Sequence, residues 1–342
     1  MLVLETRNVH SVFPSALWLL LHEGVKQESR NGPVLTLMQP VTTVYRNPRE
    51  RVMFWSERDA NPFFHFFESL WMLNGQNDVM FPARFAKQIK KYSDDGKIFH
   101  GAYGYRWRNH FKQDQLLEVI ANLRNDHTDR RQVVQMWDAS VDLPDQSSKK
   151  DLPCNLMVTF QIVMDSLDMV VFNRSNDIVW GSYGSNVVHF SMLHEFMASA
   201  IGVPTGTYSQ ISVNWHGYLD TLLPLTELSK QSPLETPDMA IVTWDPYALG
   251  QVRTFPLMGT PHELWLEDLS VFMMEEDTIL YRDSFFNQVA SPMIRIHKMW
   301  KSGERQEAFD KVDEIKATDW RMACRDWMAR RMTAQDDGVR YE

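Results

Sequence analysis

Cys154 is one of two cysteines in the chain and stands in the string Asp151-Leu152-Pro153-Cys154-Asn155. Twenty residues on comes Arg174-Ser175-Asn176-Asp177. A thiol ahead of a strand, followed by a strand ending in Arg-Ser-x-Asp, suggests a nucleophile facing an anionic, hydrogen-bonding substrate. The thiolate is the reactive species, and it needs nearby positive charge or donors. Arg130, Arg131 and Arg174 are the candidate partners. The other reading of Cys154 is a small buried hydrophobe, and sequence alone places no arginine beside it.

Arg130 and Arg131 open a strand, where paired arginines are either solvated or bind a phosphate through bidentate guanidinium contacts. Arg174 ends an otherwise apolar strand. With the Ser175 hydroxyl and the Asp177 carboxylate it could bind a phosphate, a sugar and a ring. Glu68 lies in the apolar helix NPFFHFFESLWML, with Phe64 at i−4, Trp71 at i+3 and Met72 at i+4. It is either the edge of a helical face or a buried acid of raised pKa, poised for general acid/base work. His216 and Tyr218, and Tyr103 in Gly101-Ala102-Tyr103-Gly104, taken alone read more readily as core or capping residues than as catalytic ones. A glycine-rich phosphate loop, a HExxH helix and a nucleophile elbow are all missing from the sequence.

The elements that must position these groups are legible in outline. Residues 10–24 predict an amphipathic helix, and 34–55 predict strands with turns. Asn61-Pro62 opens a helix to Leu73, closed by Asn74-Gly75. Residues 113–125 predict a helix, 131–137 a strand and 139–151 a loop. Strands 156–163 and 167–173 form a hairpin through Met-Asp-Ser. Residues 187–201 predict a helix that Asn186 caps; 207–214 predict a strand, 216–228 a helix and 246–261 a loop. From 262 to 333 the pattern is helical. The expectation is a mixed α/β body over residues 1–250 and a helical C-terminal extension over 262–335.

Composition narrows the class. The chain has 342 residues, 44% of them hydrophobic, so a large core is expected. A net charge of −9 argues against a nucleic-acid polymer as partner, so a bound anion must meet a local arginine cluster. Two cysteines give no disulfide framework or metal site and point to a reducing, cytoplasmic setting. The N-terminus lacks a signal-peptide pattern. No apolar run reaches the roughly 18 residues of a membrane span.

Taken in order, the motifs resemble the thymidylate synthase and pyrimidine nucleotide hydroxymethylase family. Glu68-Ser-Leu-Trp71-Met-Leu-Asn-Gly75 resembles its E-L-L-W-F-L-x-G helix. Gly101-Ala-Tyr103-Gly104 with Trp107-Arg108 resembles its G-x-x-Y-G-x-x-W-R segment, one residue shorter. Pro153-Cys154 matches the nucleophile motif, and Arg174-Ser175-x-Asp177 with Gly181 matches R-S-x-D-x-x-x-G. The resemblance implies a thymidylate-synthase-like mixed sheet packed with helices. It also implies that Cys154 adds to C6 of a pyrimidine deoxynucleoside monophosphate. The co-substrate would be 5,10-methylenetetrahydrofolate, with Asp177, Trp71 and Gly181 on its side of the site. Glu68, Tyr103 and Asn155 would serve catalysis. Arg30, Arg130, Arg131 and Arg174 would bind phosphate, Asn186 the base, and His216 and Tyr218 the sugar. Arginines 130 and 131 in the family reach the partner subunit's phosphate, which implies a homodimer.

The departures are informative. Asn155 replaces the family's usual His, one extra residue precedes Asn186, and Asn214 replaces Asp. The family's short apolar closing tail is missing, and residues 262–342 carry no resemblance. In family terms the methylene intermediate takes hydride to become methyl or water to become hydroxymethyl, and exclusion of water selects the first. Asn155, Arg174-Ser-Asn-Asp177 and the tail look more like the hydroxymethylase branch. Cytosine-specific members carry Asp at the base-reading position, whereas Asn186 offers a donor and an acceptor for uracil. Ser175 resembles the deoxynucleotide-using members. The expected activity is thus a dUMP hydroxymethylase in the cytoplasm, or in that of an infected host if the chain is viral. Thymidylate synthase proper, a dCMP-directed enzyme and a non-catalytic nucleotide-binding homologue are the alternatives.

Overall fold

The computed structural model describes residues 1–235 and 244–336. The last residues of the C-terminal segment, 337–342, lie outside the described range. Eight strands form one mixed sheet: β1 (Leu2–Thr6), β2 (Val25–Ser29), β3 (Gly32–Thr36), β4 (Val41–Tyr45), β5 (Gln132–Gln135), β6 (Asn155–Val163), β7 (Ser166–Asp177) and β8 (Thr205–Tyr218). The order is β1-β4-β8-β7-β6-β5, with the β2-β3 hairpin attached to β8 through β3. β1 runs parallel to β4 and β7 parallel to β8. The β6-β7 hairpin turns on Met164 and Asp165, both left-handed at φ 48° and 61°, the conformation that a tight hairpin requires.

Helices α1 (Val9–Glu23), α2 (Pro62–Leu73), α3 (Gln115–Asn125) and α4 (Ser185–Ile201) pack with this sheet around one core. Asn8 caps α1 through Ser11 N, Asn61 caps α2 through Phe64 N, and Asp114 caps α3 through Leu116 N and Leu117 N, so local signals set these boundaries. Beyond the sheet, α5 (His262–Glu275), α6 (Ser291–Ser302) and α7 (Thr318–Asp336) follow. Their buried Trp265, Phe272, Ile294 and Met328 belong to the same core.

Four expectations need correction. Residues 50–55 are not strand: Val52 and Phe54 send their N–H groups to the Tyr247 hydroxyl and to His10 Nδ1, so no ladder partner is needed. Residues 216–218 are strand, not helix, because His216, Gly217 and Tyr218 pair with Thr36, Leu35 and Val34 of β3. The helical turns that follow are broken into short pieces around Pro224. Within 139–151, short helical turns occupy Ala139–Asp142 and Gln146–Ser148. Asn186 does not cap α4. Gly184 holds the cap position, and Asn186 lies inside the first turn.

Candidate active site

β7 does not end at Asn173 but runs on through Arg174 to Asp177, held by its parallel pairing with Asn214, Trp215 and His216 of β8. This extension carries Arg174, Ser175 and Asp177 past the head of β6, where Cys154 and Asn155 sit. Arg174 N donates to the Cys154 carbonyl at 3.0 Å. Its side chain donates to the carbonyls of Pro153 at 2.9 Å and Leu152 at 3.1 Å. The guanidinium also lies 5.7 Å from the centre of the Trp137 ring. Burial pushes the Cys154 thiol up from its ordinary pKa, while Arg174 and Arg30 pull it down and Asp151 pushes it further up. Arg30 is an exposed side chain held by the Lys149 carbonyl at 3.0 Å. Thiol, Arg174 and Arg30 are therefore brought together, as expected of a nucleophile beside an anion site.

Tyr103 faces the same thiol. Burial raises its phenol well above the ordinary tyrosine range, and Cys154 and Asn155 are among its neighbours. The turn that carries Tyr103 is seated by Gly104: a Cβ there would meet the Met72 carbonyl oxygen of α2 at 2.0 Å. Only glycine permits that approach. Asp151 accepts from Gly101 N at 2.9 Å, and burial raises its carboxyl to about 6. Asn155 is fully buried, opposite Asn173 in the β6-β7 register, with the Tyr103 hydroxyl beside its amide.

A second group of side chains gathers around Asp177. Its Oδ1 accepts from Val179 N at 2.9 Å and Trp180 N at 2.6 Å, capping the wide helical turn Ile178–Ser182. Its Oδ2 is buried without a partner among the described residues, and burial raises the carboxyl while His216 and Arg58 pull it down. Arg58 is buried, donates twice to the Val179 carbonyl and lies 4.9 Å from the Trp180 ring centre; burial lowers it to about 10. Trp180 itself is 54% exposed. Gly181 lies so close to Asn176 that a Cβ would sit 2.3 Å from its Oδ1. Asn186 donates from Nδ2 to that oxygen at 3.3 Å, and Asn176 donates to Ser212 Oγ at 3.2 Å.

Glu68 is buried on α2 and meets His189 of α4, its Oε2 lying 2.9 Å from Nε2. His216 pairs across the ladder with Asp177 and packs its ring edge-on to Tyr218 at 5.6 Å. The Tyr218 hydroxyl accepts from Asn31 Nδ2 at 3.4 Å, next to Arg30. Two expected groups are not brought in. Trp71 is 2% exposed and donates to Asp78 Oδ2 at 3.0 Å, so its ring is core and presents no face to a ligand. Arg130 and Arg131 are exposed, and Arg131 pairs with Asp129 at 2.8 Å.

Arg58, Trp180 and His189 were not singled out from sequence. Buried arginine and histidine give no local signal. The lone hint for Trp180 was an aromatic residue between Asp177 and Gly181.

The thymidylate synthase family model matches residues 13–258. The chain belongs to the thymidylate synthase family. It is 50% identical to the deoxyuridylate hydroxymethyltransferase of Pseudomonas phage M6, over all of both chains. It is 38% identical to that of Bacillus phage SP01 over 199 residues, which is 55% of this chain and 52% of the other. Among solved structures, thymidylate synthase from T4 phage superimposes with a TM-score of 0.51 at 18% identity, covering 63% of this chain and 79% of that one. That likeness bears on the fold. The chain is thus a one-carbon transferase of the thymidylate synthase family with a mixed sheet packed by helices. No described helix is long and apolar enough to cross a membrane.

Proposed function

We propose that this protein forms 5-hydroxymethyl-dUMP from dUMP, with methylenetetrahydrofolate as one-carbon donor. The reading is carried by Cys154 held beside Arg174, in a chain half-identical over its full length to a phage protein named for this activity. In this reading Arg174 and Arg30 bind the nucleotide phosphate, and His216 and Tyr218 the sugar. The Asn176 contact fixes the Asn186 amide so that its Oδ1 accepts from uracil N3–H.

The Cys154 thiolate adds to C6, and the electron pair passes through C5 toward the C4 carbonyl, which makes C5 a nucleophile. Tyr103, kept neutral by burial, supplies a phenol donor beside the thiol. Glu68 takes and returns protons. Methylenetetrahydrofolate, when bound, supplies the methylene carbon. The buried, unpartnered Oδ2 of Asp177 fits the pterin's N–H donors, and Gly181 and Trp180 line that side. Loss of the C5 proton would expel the folate amine, water adding to the exocyclic methylene carbon would supply the hydroxyl, and elimination of Cys154 from C6 restores the thiol. Tetrahydrofolate leaves unoxidised, so no dihydrofolate forms. Asn155 removes the titratable imidazole that the family usually has beside the nucleophile.

The working form in this reading is a homodimer, in which the exposed Arg130 and Arg131 reach the partner's phosphate. Val133 and Val213, 47% and 58% exposed, lie on strands that such a partner would cover. The setting is the cytoplasm of an infected host cell, in keeping with the phage relatives.

The test is incubation with dUMP or dCMP and methylenetetrahydrofolate labelled at the transferred carbon. Labelled 5-hydroxymethyl-dUMP without dihydrofolate is expected. Labelled dTMP with stoichiometric dihydrofolate assigns the protein as a thymidylate synthase instead, and turnover of dCMP alone assigns the cytosine reaction.

A further inference from the structure

Glu68 is a lone carboxylate on an apolar helix, and such a group is costly to bury unless something meets it. What meets it is His189, one of α4's inward residues and 2% exposed. Its Nε2 lies 2.9 Å from Glu68 Oε2. Neither ring nitrogen has an aligned hydrogen-bond partner among the described residues. Glu68 is thus the polar group that the ring meets at hydrogen-bonding distance.

His189 sits three residues after Asn186 on α4, so the two share a helical face. That face already reaches Asn176 through Asn186. His65, three residues before Glu68 on α2, lies within electrostatic reach of both His189 and Arg58. His65 is buried and held well below the ordinary histidine range, first by burial and then by the charges of Arg58 and His189. Arg58 in turn holds the Val179 carbonyl in the turn that Asp177 caps. Glu68, His189, His65 and Arg58 thus form a buried polar group in which Glu68 and His189 are in direct contact. Catalytic hydrogen bonds are often loose before substrate binds and tighten afterwards.

We propose that His189 is a positioning residue for Glu68. With its proton on Nε2 it donates to Oε2, fixes the carboxylate and leaves Oε1 as the oxygen that exchanges protons with water and substrate. A carboxylate without this anchor is free to rotate about its last torsion and samples unproductive orientations. The inference rests on Glu68 being the general base of the proposed reaction.

The experiment uses the full chain with dUMP, methylenetetrahydrofolate and four variants: Glu68→Gln, His189→Ala, His189→Gln and the double variant Glu68→Gln/His189→Ala. Three quantities are read: kcat with the KM for dUMP, release of tritium from 5-tritiated dUMP, and trapping of Cys154 by 5-fluoro-dUMP. His189→Ala is expected to lower kcat and tritium release by about 10²-fold, within the usual range for general acid/base groups. The KM for dUMP should stay within about threefold and fluoro-dUMP trapping should persist, since binding and thiol addition do not use His189. His189→Gln, which keeps a donor, should recover at least about tenfold of the loss. The double variant should be no worse than Glu68→Gln alone, because the two act as one unit.

Multiplying effects in the double variant, a raised KM at unchanged kcat, or kcat of His189→Ala within about threefold of the parent would overturn the proposal. Loss of fluoro-dUMP trapping in both His189 variants would do the same, since it marks a merely structural role. If Glu68→Gln itself leaves kcat intact, the general-base reading fails and the inference falls with it. A large Glu68→Gln loss beside an unaffected His189→Ala sinks the inference alone.

Discussion

Arg174 donates from Nε to the Pro153 carbonyl at 2.9 Å, so the strand that carries the arginine also ties down the loop that carries the thiol. One side chain thus sets both the position of Cys154 and part of its charge environment. Removing it disturbs geometry and electrostatics together.

Replacement of Arg174 therefore acts on the nucleophile directly. Arg174 is the largest influence that lowers the Cys154 pKa against burial. In Arg174→Gln the thiol should titrate at higher pH, because burial and Asp151 then act with less opposition. The pH profile of iodoacetamide alkylation reads this as a midpoint displaced upward. On the proposed function, kcat/KM for dUMP falls by about 10²–10³-fold, from loss of a charge-assisted phosphate contact as well as thiolate. An unmoved alkylation midpoint would separate the arginine from the thiol.

Asp151 makes stability depend on pH. Burial raises its folded pKa to about 6, above its ordinary 3.8. The folded state then binds more protons than the unfolded one between those values, so stability falls as pH rises through that window. The cost is full above the folded value and amounts to at most about 2–3 kcal/mol. Asp319 is raised to about 6 for the same reason and adds a slope of the same sign. Asp151→Asn, which can still accept from Gly101 N, should flatten its share of the slope. Denaturant melts at pH 5 and pH 8 measure this. The variant should gain most at pH 8, where it should also lower the Cys154 midpoint.

Much of this arrangement is legible along the chain, and the part that is not shares one cause. Helix α2 is announced by Asn61, Pro62 and Gly75, and the β6-β7 hairpin by its apolar runs, because caps and turns are local. The strand character of His216 and Tyr218 is not local, since it depends on pairing with Thr36 and Val34 some 180 residues away. Glu68 stood out as a carboxylate among phenylalanines. Its partner His189 lies on another helix, and no spacing rule links the two. Trp71 shows the converse: its motif pointed to a ligand, whereas packing against Phe99 and a bond to Asp78 bury it. Cys154, Arg174 and Asp177 stood out because their types are chemically unusual where they stand.

On the proposed function, Asp177 is the residue that distinguishes the folate side of the site from the nucleotide side. Its Oδ1 caps the Ile178–Ser182 turn, while its Oδ2 is unpartnered among the described residues. Asp177→Asn keeps an oxygen for the cap and loses the charge. The expected result is a KM for methylenetetrahydrofolate raised by at least about tenfold, with the dissociation constant for dUMP within about threefold. Isothermal titration with dUMP alone and steady-state kinetics against the folate distinguish the two. A dUMP affinity that falls in parallel would place Asp177 at the nucleotide instead.

Asp59 fastens the C-terminal helix. It is left-handed at φ 46° and accepts from Arg331 at 2.7 Å and Arg330 at 3.0 Å, near the end of α7. Arg331 also lies 4.0 Å from the centre of the Trp327 ring. The carboxylate is partly exposed, so its worth is on the order of 1 kcal/mol despite the double pairing. Asp59→Ala should lower the melting temperature by about 1–2 °C for a chain of this size. Asp59→Gly should cost less, because glycine accepts the left-handed backbone that alanine resists. Melts of the two variants side by side separate the ion pairs from the backbone.

Arg130 and Arg131 test the shared site. Both are exposed, and Gln132 beside them pairs with Phe160, well along β6 from the thiol of their own chain. In the proposed homodimer they complete the partner's phosphate site. A Cys154→Ala chain and an Arg130→Ala/Arg131→Ala chain should each be nearly inactive alone. After subunit exchange, half of the dimers are mixed, and each mixed dimer holds one intact site out of two. Activity should then recover to about a quarter of the parent's, as follows from two-fold symmetry with sites built from both chains. A monomeric arrangement predicts no recovery at any mixing ratio. Sedimentation at working concentration, run on the same samples, shows whether exchange has produced dimers at all. Recovery without dimers would require the arginines to act elsewhere than across a subunit boundary.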